Sequence, residues 1–293
     1  MNTEPQAIVV TGMRGLLGST LLRTKIDGGN PVGFASDITD RDAISAEVNS
    51  LKPRWIIHAA AMTDVGACER DPAAAREVNV EGTKKVVDSA HAAGASLMYI
   101  STVSVFSGRE GNYTEGDTPE PMNVYNTTKR DGELAVLAYE KGMVLRLNLI
   151  GVHPDGSRGK NFMEWLIDSI NANKDMTLFN DQFINPLSNW TVAATIKTLI
   201  EREVTEKILH IGSSNVLSKA EIATLALARF SEYRGTVVQK SIDSIADGVP
   251  RPKQMWLNCD TASGIMGSGF PDIGSEIEII LNSFPLALRG HSV

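Results

Sequence analysis

The stretch Ala7-Ile8-Val9-Val10-Thr11-Gly12-Met13-Arg14-Gly15-Leu16-Leu17-Gly18 decides the fold. A short apolar run, typical of a buried strand, leads directly into three glycines spaced three apart, and a helical pattern follows. The first glycine permits a tight turn, the second keeps a Cβ out of the path of a phosphate, and the third lets the helix pack closely on the strand. The helix N-terminus offers free N–H groups to an anion. The stretch therefore predicts a dinucleotide-binding strand, loop and helix.

Apolar runs alternate with helical patterns through the first half of the chain. The predicted strands are Ile8–Val10, Val32–Ala35, Trp55–His58, Leu97–Ile100 and Val144–Leu147, and the predicted helices are Ala43–Leu51, Pro72–Ala93 and Val124–Glu140. Such alternation predicts right-handed crossovers and a parallel sheet covered on both faces. We therefore expect a Rossmann-type, doubly wound α/β fold, whose ligand lies at the carboxyl ends of the strands.

The alternation breaks after about residue 150. The predicted elements there are a loop over His153–Lys160, helices over Phe162–Ile170, Thr191–Glu201 and Ser218–Phe230, and a strand over Ile208–Ile211 that returns to the sheet. Ser218 and Glu221 have the spacing of a capping box. We expect a dinucleotide-binding domain of residues 1–150 with about 186–212, and a smaller α/β substrate-binding lobe of 151–185 and 213–293.

Composition limits the classes of function. A chain of 293 residues with 42% hydrophobic and 22% charged residues is an ordinary globular protein. A net charge of −7 without a basic run argues against nucleic-acid and membrane partners. Two cysteines are too few for a disulfide framework or a zinc site, and we expect no metal. With neither a signal-peptide pattern nor a long apolar run, a cytoplasmic protein is expected. The sequence leaves open whether it forms a homodimer.

A second informative stretch joins a strand that ends at Ser101-Thr102 to a helix that carries Tyr125 and Lys129. The last two lie four residues apart and so share one helix face. A phenol with a pKa of about 10 is a poor acid–base group, and a neighbouring ammonium, together with an oxidised nicotinamide, is expected to favour the phenolate. The set suits carbonyl reduction, in which hydride reaches carbon while Tyr125 donates a proton to oxygen and Thr102 hydrogen-bonds that oxygen.

These motifs resemble those of the extended short-chain dehydrogenase/reductase family and, within it, the dTDP-4-dehydrorhamnose reductase-like branch that binds sugar nucleotides. The resemblance covers nearly the whole chain. It also rests on Asp37-Ile38-Thr39-Asp40, His58-Ala59-Ala60-Ala61-Met62-Thr63, Asn79-Val-Glu-Gly-Thr83, the Tyr113 to Tyr125 segment, Asn161-Phe162, Asn180-Asp-Gln-Phe183 and Arg251-Pro252.

The resemblance implies a role for each matched position. It implies catalysis by Thr102, Tyr125 and Lys129, of which Tyr125 and Lys129 also contact the cofactor. The other implied cofactor residues are Gly12, Met13, Arg14, Gly15, Leu16, Leu17, Asp37, Ile38, Ala59, Ala60, Ala61, Asn79 and Ser101. The implied substrate residues are Thr102, Val103, Asn148, Asn161, Phe162 and Arg251.

The implied reaction is the NAD(P)H-dependent reduction of a 4-keto-6-deoxy sugar carried on a nucleotide diphosphate. Arg14 matches the arginine that GDP-fucose synthase directs at a 2′-phosphate, which favours NADP(H), although Arg14 is equally well explained as a solvated side chain and NAD(H) stays open. His58 is expected to be a hydrogen-bonded neighbour of the site rather than a base. Arg251 is weighed equally as a contact to the substrate diphosphate and as a surface residue.

The chain also departs from this pattern. Val103 replaces an acidic residue, Asn126 replaces a glycine, and Leu149 replaces a tryptophan that packs against the sugar. We therefore expect a different sugar. Two alternatives stay open: a sugar-nucleotide epimerase of the same superfamily, and a non-catalytic regulatory subunit like the methionine adenosyltransferase β subunit.

Overall fold

A computed structural model of the protein describes residues 7–157 and 161–283. The strands are β1 (Ile8–Thr11), β2 (Val32–Gly33), β3 (Trp55–His58), β4 (Ser96–Thr102), β5 (Gly142–Leu147), β6 (Leu149–Ile150), β7 (Met176–Phe179), β8 (Phe183–Ile184), β9 (Leu187–Ser188), β10 (Ile208–Ile211), β11 (Leu217–Ser218), β12 (Val237–Lys240) and β13 (Gln254–Met255).

The helices follow the same chain order. They are α1 (Leu16–Leu21), α2 (Arg41–Leu51), α3 (Val65–Arg70), α4 (Pro72–Arg76), α5 (Thr83–Ala93), α6 (Val124–Leu137), α7 (Phe162–Asn171), α8 (Asn189–Glu201), α9 (Lys219–Leu227), α10 (Asp260–Met266) and α11 (Ile273–Ser283). A π-helical turn, Glu77–Gly82, joins α4 to α5, and short 3₁₀ turns cover Val103–Val105 and Ile242–Ser244.

The main sheet has six strands in the order β10-β5-β4-β3-β1-β2, and every neighbouring pair is parallel. The chain moves outward from β1 in one direction to β2 and in the other to β3, β4, β5 and β10. This reversal creates a crevice at the carboxyl ends of β1 and β3, where doubly wound sheets bind their ligands. The Rossmann-type fold predicted from the sequence is confirmed.

Alternating side chains place two cores on the two faces of this sheet. Val10 and Ile57 point into a core shared with α1 and α8, while Val9 and Ile56 point into a core shared with α2, α5 and α6. Because both faces are covered, the strands read as continuous apolar runs, as expected for a parallel sheet.

Several predicted elements have different bounds in the structure, and three of these differences have a clear local cause. The helix predicted over Pro72–Ala93 is interrupted by the π-helical turn. The strand predicted over Val32–Ala35 stops at Gly33, because the Ala35 amide bonds to the Glu47 carboxylate instead of continuing the ladder. The helix predicted to end at Glu140 ends at Leu137, where Tyr139 N bonds to the carbonyl of Val136 and tightens the last turn.

The second half of the chain forms a separate apolar core. Small sheets, β11-β8-β13 and β12-β7, pack with α7, α9 and α11 around residues such as Met163, Leu178 and Ile277. The capping box of Ser218 and Glu221 is confirmed. The domain boundaries stay a prediction, and the part of the loop over His153–Lys160 from 158 to 160 lies outside the described residues.

Within residues 7–157 and 161–283, every helix is too short or too polar to cross a bilayer.

Candidate active site

The glycine loop has the shape of a phosphate cradle. Gly12 adopts a φ of +70°, and a Cβ there would lie 2.7 Å from the Ala60 nitrogen. A Cβ on Gly18 would collide with the carbonyl of Gly12, so helix α1 can approach the loop only through this glycine. A Cβ on Gly15 would meet only the Gly12 carbonyl oxygen, at 3.3 Å, and this open position precedes the first turn of α1. The loop therefore fits a dinucleotide pyrophosphate.

Charged groups gather where β2 ends beside this loop. Arg14 is exposed and makes no hydrogen bond or ion pair within the described residues. Asp37 is also exposed, and its carboxylate accepts bonds from the Thr39 amide and hydroxyl at 2.9 and 2.8 Å. These bonds lower the pKa of Asp37. Glu47, from α2, accepts the amides of Ala35 and Ser36, both at 2.8 Å.

Asn79 fixes the backbone that follows β3. Its amide accepts from Met62 N at 2.8 Å and donates to Met62 O and to the Thr128 hydroxyl, both at 3.0 Å. Asn79 lies in the π-helical turn, and such turns occur frequently at functional sites. The side chain thereby holds the segment after Ala59, Ala60 and Ala61 against helix α6.

His58 is neutral and structural. The Thr83 hydroxyl donates to Asn79 O at 2.8 Å, so it must accept from His58 Nε2 at 3.0 Å. Nδ1 then accepts from the Thr11 hydroxyl at 2.7 Å. Complete burial, with a smaller contribution from the Lys129 charge, lowers the pKa of His58 to about 3. The histidine is therefore a hydrogen-bonded neighbour of the site, as the sequence suggested.

Thr102, Tyr125 and Lys129 come together at the carboxyl end of β4. Tyr125 is partly buried on the first turn of α6, which begins at an Asn123 cap. Burial raises the pKa of Tyr125 to about 12, against the opposing effect of a hydrogen bond with Thr102. One turn later, Lys129 Nζ donates to Ile100 O at 2.8 Å and lies 3.9 Å from the centre of the Tyr99 ring.

The expectation that Lys129 and an oxidised nicotinamide together favour the phenolate stays a prediction. Burial lowers the pKa of Lys129 to about 7, while the Glu133 charge acts in the opposite direction. Among the groups that shift the pKa of Tyr125, only Thr102 lowers it. Sequence spacing placed the two side chains on one face correctly, but it carried no information about how strongly burial would disfavour each charge.

A buried ion pair supports this corner of the site. Glu133, fully buried one turn beyond Lys129, accepts two bonds from Arg146, at 2.8 and 2.7 Å, and one from Arg130 at 3.0 Å. Ser101 donates its hydroxyl to the same carboxylate at 2.6 Å. Burial would raise the pKa of Glu133, but these bonds and the Arg146 charge outweigh it and hold the pKa low. Because its hydrogen is used, Ser101 can offer only lone pairs to a ligand.

Several predicted ligand contacts fall on side chains that are already packed. Val103 is only 1% exposed, inside an apolar cluster with Phe106 and Tyr113. Leu17 and Ile38 are likewise core residues. The 3₁₀ turn after β4 directs Val103 inward, so its predicted substrate contact would have to come from the backbone. The partly buried Leu149 packs against the main core.

The predicted substrate residues in the second half of the chain differ in whether their side chains already have partners in the protein. Asn148 donates its amide to Met255 O at 2.8 Å and so has a structural partner. Asn161 caps α7 by accepting Glu164 N at 3.0 Å, while its own Nδ2 is buried and has no hydrogen-bond partner among the residues that the structure describes. Phe162 follows it and stacks on Trp165, with ring centres 6.2 Å apart.

Arg251 is engaged by a carboxylate. Asp247 holds its guanidinium through two bonds of 2.8 and 2.6 Å, which raise the pKa of Arg251. A contact from Arg251 to the substrate diphosphate stays a prediction, and it would have to compete with Asp247 for the guanidinium. The less committed cation is Lys219, partly buried at the start of α9, 5.9 Å from the Phe162 ring centre and without an ion pair in the described part of the chain. Burial, with the Arg251 charge, lowers its pKa to about 8.

Residues 6–284 match the RmlD substrate binding domain family. The chain belongs to this family.

Relatives of this RmlD-family chain have different activities. It is 27% identical to the probable low-salt glycan biosynthesis reductase Agl14 of Haloferax volcanii, over 94% of this chain and 97% of that protein. It is also 27% identical to the dTDP-4-dehydrorhamnose reductase of Aggregatibacter actinomycetemcomitans, over 81% and 82% of the two chains. It is 28% identical to the rat methionine adenosyltransferase 2 subunit beta, over 88% and 82%.

The fold comparison agrees with this membership. A crystal structure of dTDP-4-dehydrorhamnose reductase from Bacillus anthracis, in complex with NADP, superposes with a TM-score of 0.87 at 24% identity and covers 95% of this chain and 99% of that one.

Three residues of this RmlD-family site escaped the sequence analysis: Glu47, Glu133 and Lys219. Apart from the Arg130–Glu133 pair, the partners of Glu47 and Glu133 lie 11 residues away or farther, and no local pattern marks those pairings. Lys219 did have a signal, because it directly follows the Ser218 cap and thus sits in the first turn of a predicted helix. A basic side chain at this position is repelled by the positive end of the helix dipole, so its presence there indicates a role other than stabilising the helix.

Proposed function

We propose that this chain is an NAD(P)H-dependent reductase of a 4-keto-6-deoxy sugar carried on a nucleotide diphosphate. The observation that carries the proposal is the meeting of Thr102, Tyr125 and Lys129 at the end of β4, beside a glycine cradle at the end of β1. Its family membership and the reductases among its relatives support the same reaction class.

The dinucleotide would supply hydride. The open position at Gly15 and the first turn of α1 fit its pyrophosphate, and the backbone of Ala59 and Ala60 lies against Gly12 of the same loop. We propose NADP(H) as the favoured form, with NAD(H) also used. The exposed Arg14 and the NADP complex of the Bacillus anthracis reductase support this preference.

Tyr125 would donate the proton. With a pKa of about 12, the phenol holds its proton at neutral pH and can give it to an oxygen that gains negative charge. Thr102 would hydrogen-bond the same oxygen. Lys129, held by Ile100 O, retains donors for the cofactor ribose, and Glu133 favours its charged form.

The diphosphate would lie against the second half of the chain, in a cleft between the domain of residues 1–150 with about 186–212 and the lobe formed by the remainder. Within the described residues, Lys219 supplies a charge that no carboxylate pairs with, and Asn161 supplies a buried amide donor that has no hydrogen-bond partner. Arg251 would contribute through its positive charge rather than through two free N–H donors, since Asp247 already accepts bonds from its guanidinium.

The sugar is proposed to differ from the usual rhamnose precursor. Leu149 stands in place of a flat tryptophan, and an aromatic platform contributes about 0.5–1.5 kcal/mol beyond its area. Val103 stands in place of an acidic side chain and is itself buried, so no carboxylate can meet a sugar hydroxyl at that position.

The test is NADPH consumption with a panel of nucleotide-activated keto sugars. We expect one mole of NADPH oxidised per mole of sugar reduced, with a specificity constant for dTDP-4-dehydrorhamnose below about 10⁴ M⁻¹s⁻¹. Turnover of a sugar nucleotide without net NADPH consumption would identify an epimerase instead.

A second candidate is a regulatory subunit, which the similarity to the rat methionine adenosyltransferase 2 subunit beta favours. A regulatory subunit would bind the dinucleotide without turning over any sugar nucleotide in the panel.

A further inference from the structure

We propose that Glu47 sets the balance between NADP(H) and NAD(H), because its carboxylate already takes the donors at the end of β2 that a 2′-phosphate would otherwise use. The inference rests on the proposed function, since it assumes that the glycine loop binds a dinucleotide. It assigns a specificity role to a residue on α2 that carries no recognisable motif.

The position of Glu47 follows from the sheet order. Strand β2 pairs with β1, so its carboxyl end lies beside the glycine loop. The two segments touch, since a Cβ on Gly33 would lie 2.7 Å from the Met13 sulfur. Arg14 is the next residue of the loop, and Ala35 and Ser36 follow Gly33 closely. In dinucleotide-binding folds this end of β2 meets the 2′ position of the adenosine ribose.

The carboxylate of Glu47 occupies an anion site that the protein's own backbone amides form. Its Oε1 accepts the Ala35 amide at 2.8 Å, and its Oε2 accepts the Ser36 amide at 2.8 Å and the Ser36 hydroxyl at 2.5 Å. Consecutive backbone amides that converge on one point form a nest suited to a phosphate or a carboxylate. Partial burial would raise the pKa of Glu47, but these bonds hold it below its usual value, so the group is ionised at neutral pH.

The charges that face this nest have both signs. Asp37 follows directly and is ionised, with its carboxylate held by Thr39. Lys85, from α5, bonds to Thr39 O at 2.8 Å and to Glu77 at 2.7 Å, so its charge is largely balanced. Of the cations Lys85 and Arg14, Arg14 is the one without a hydrogen-bond or ion-pair partner in the described part of the chain. A 2′-phosphate would thus be attracted by Arg14 and repelled by Glu47, whereas the neutral 2′-hydroxyl of NAD(H) would feel neither strongly.

This opposition separates a specificity role from a structural one. If Glu47 only stabilised the loop, its loss would weaken both cofactors by the same factor. If it repels the 2′-phosphate, its loss must raise the affinity for NADPH relative to NADH. The ratio of the two dissociation constants is therefore the informative quantity, whatever happens to the stability of the chain.

The experiment compares Glu47→Gln and Glu47→Ala with Asp42→Asn, which removes one charge from the same helix without touching Ala35 or Ser36. Fluorescence titration gives the dissociation constants of NADPH and NADH, and competition by 2′,5′-ADP against 5′-AMP isolates the adenosine end. We expect both Glu47 variants to shift the ratio about tenfold toward NADPH at low salt. The shift should shrink as ionic strength rises, because the site is only partly buried. Asp42→Asn should leave the ratio within twofold of the wild type.

An unchanged ratio in both Glu47 variants, or a shift toward NADH, overturns the inference alone. A shift of equal size in Asp42→Asn overturns it as well, because the effect would then be one of net charge rather than of this nest. A wild-type chain that binds neither NADPH nor NADH overturns the proposed function and this inference together.

Discussion

The polar groups around Lys129 and those around Lys219 differ in how their charges are balanced. Near Lys129, the Glu133 carboxylate meets Arg146, Arg130 and Ser101 in a closed set of bonds of 3.0 Å or less. Lys219 lies 5.9 Å from the Phe162 ring centre and feels the charge of a second cation, Arg251, and it has no ion pair within residues 7–157 and 161–283. Folding alone therefore completes the first cluster, while the second keeps an excess of positive charge that an anionic ligand would balance.

The largest expected effect is on chemistry. Tyr125→Phe keeps the ring but removes the proton donor, so turnover should fall by roughly two to four orders of magnitude while NADPH binding persists. Steady-state kinetics and a fluorescence titration of NADPH measure the two quantities separately. Near-normal reductase activity in this variant would show that the proton comes from another group.

The next largest effect is expected when the ion pair between Glu133 and Arg146 is broken. Arg146→Met leaves the Glu133 carboxylate buried without its main partner, so the free energy of unfolding should drop by about 3–5 kcal/mol. The double variant Glu133→Leu/Arg146→Met removes both charges and should recover most of that loss. Urea denaturation checks both variants. Glu276→Gln is the matched control, since this carboxylate is equally buried but lies on α11 and bonds to Ser188 and Thr191.

If the double variant were as unstable as the single one, the pair would stabilise the fold through its packing or through Ser101 rather than through mutual charge balance. The single variant would then reveal nothing about Glu133.

The same contrast explains what the sequence could predict. The glycine loop and the spacing of Tyr125 and Lys129 are local patterns with a fixed period, and the strands are apolar runs, so the fold and the grouping of these residues followed from them. Apart from Arg130, which lies one turn away on the same helix, the partners of Glu133 and Glu47 come from other elements, and pairings of that kind leave no periodic trace. The π-helical turn at Asn79 inserts an extra residue into an otherwise regular helical pattern, which a 3.6-residue period cannot reveal.

Burial was the other quantity hidden from the sequence. The phenolate was expected from Lys129 together with an oxidised nicotinamide, whereas burial by the protein's own groups raises the pKa of Tyr125 to about 12. The cost of desolvating a group depends on what packs around it in three dimensions, and the spacing of Tyr125 and Lys129 carries no information about that packing.

A smaller effect is expected at Lys219, where positive charge is in excess. Lys219→Met should weaken the binding of a nucleoside diphosphate by about 1.5 kcal/mol, the lower end of the range for a hydrogen bond to a charged group, since the residue as a whole is partly exposed. Lys253→Met is the matched control, because Asp181 and Asp243 already pair with that lysine. Calorimetric titration of thymidine and uridine diphosphates measures both.

The pH dependence gives a second readout of Lys219. Its pKa of about 8 means that the ammonium is present below this pH and lost as pH rises through it. Nucleotide affinity of the wild type should therefore fall above about pH 8, and Lys219→Met should abolish that fall. A decline that persists in Lys219→Met would assign it to another group.

The smallest expected effect concerns the exposed end of the dinucleotide site. Arg14 is neither paired with a carboxylate nor buried there, so its interaction with a ligand is weak. Arg14→Ala should weaken NADPH binding by about 1 kcal/mol, because a charge-assisted contact to a phosphate at an exposed position is partly screened by solvent. NADH binding should barely change, since it offers no 2′-phosphate. Titrating both cofactors into the wild type and the variant decides the matter. Equal losses for the two would show that Arg14 supports the loop without reading the 2′-phosphate, and the attraction that opposes Glu47 would then have to come from another cation.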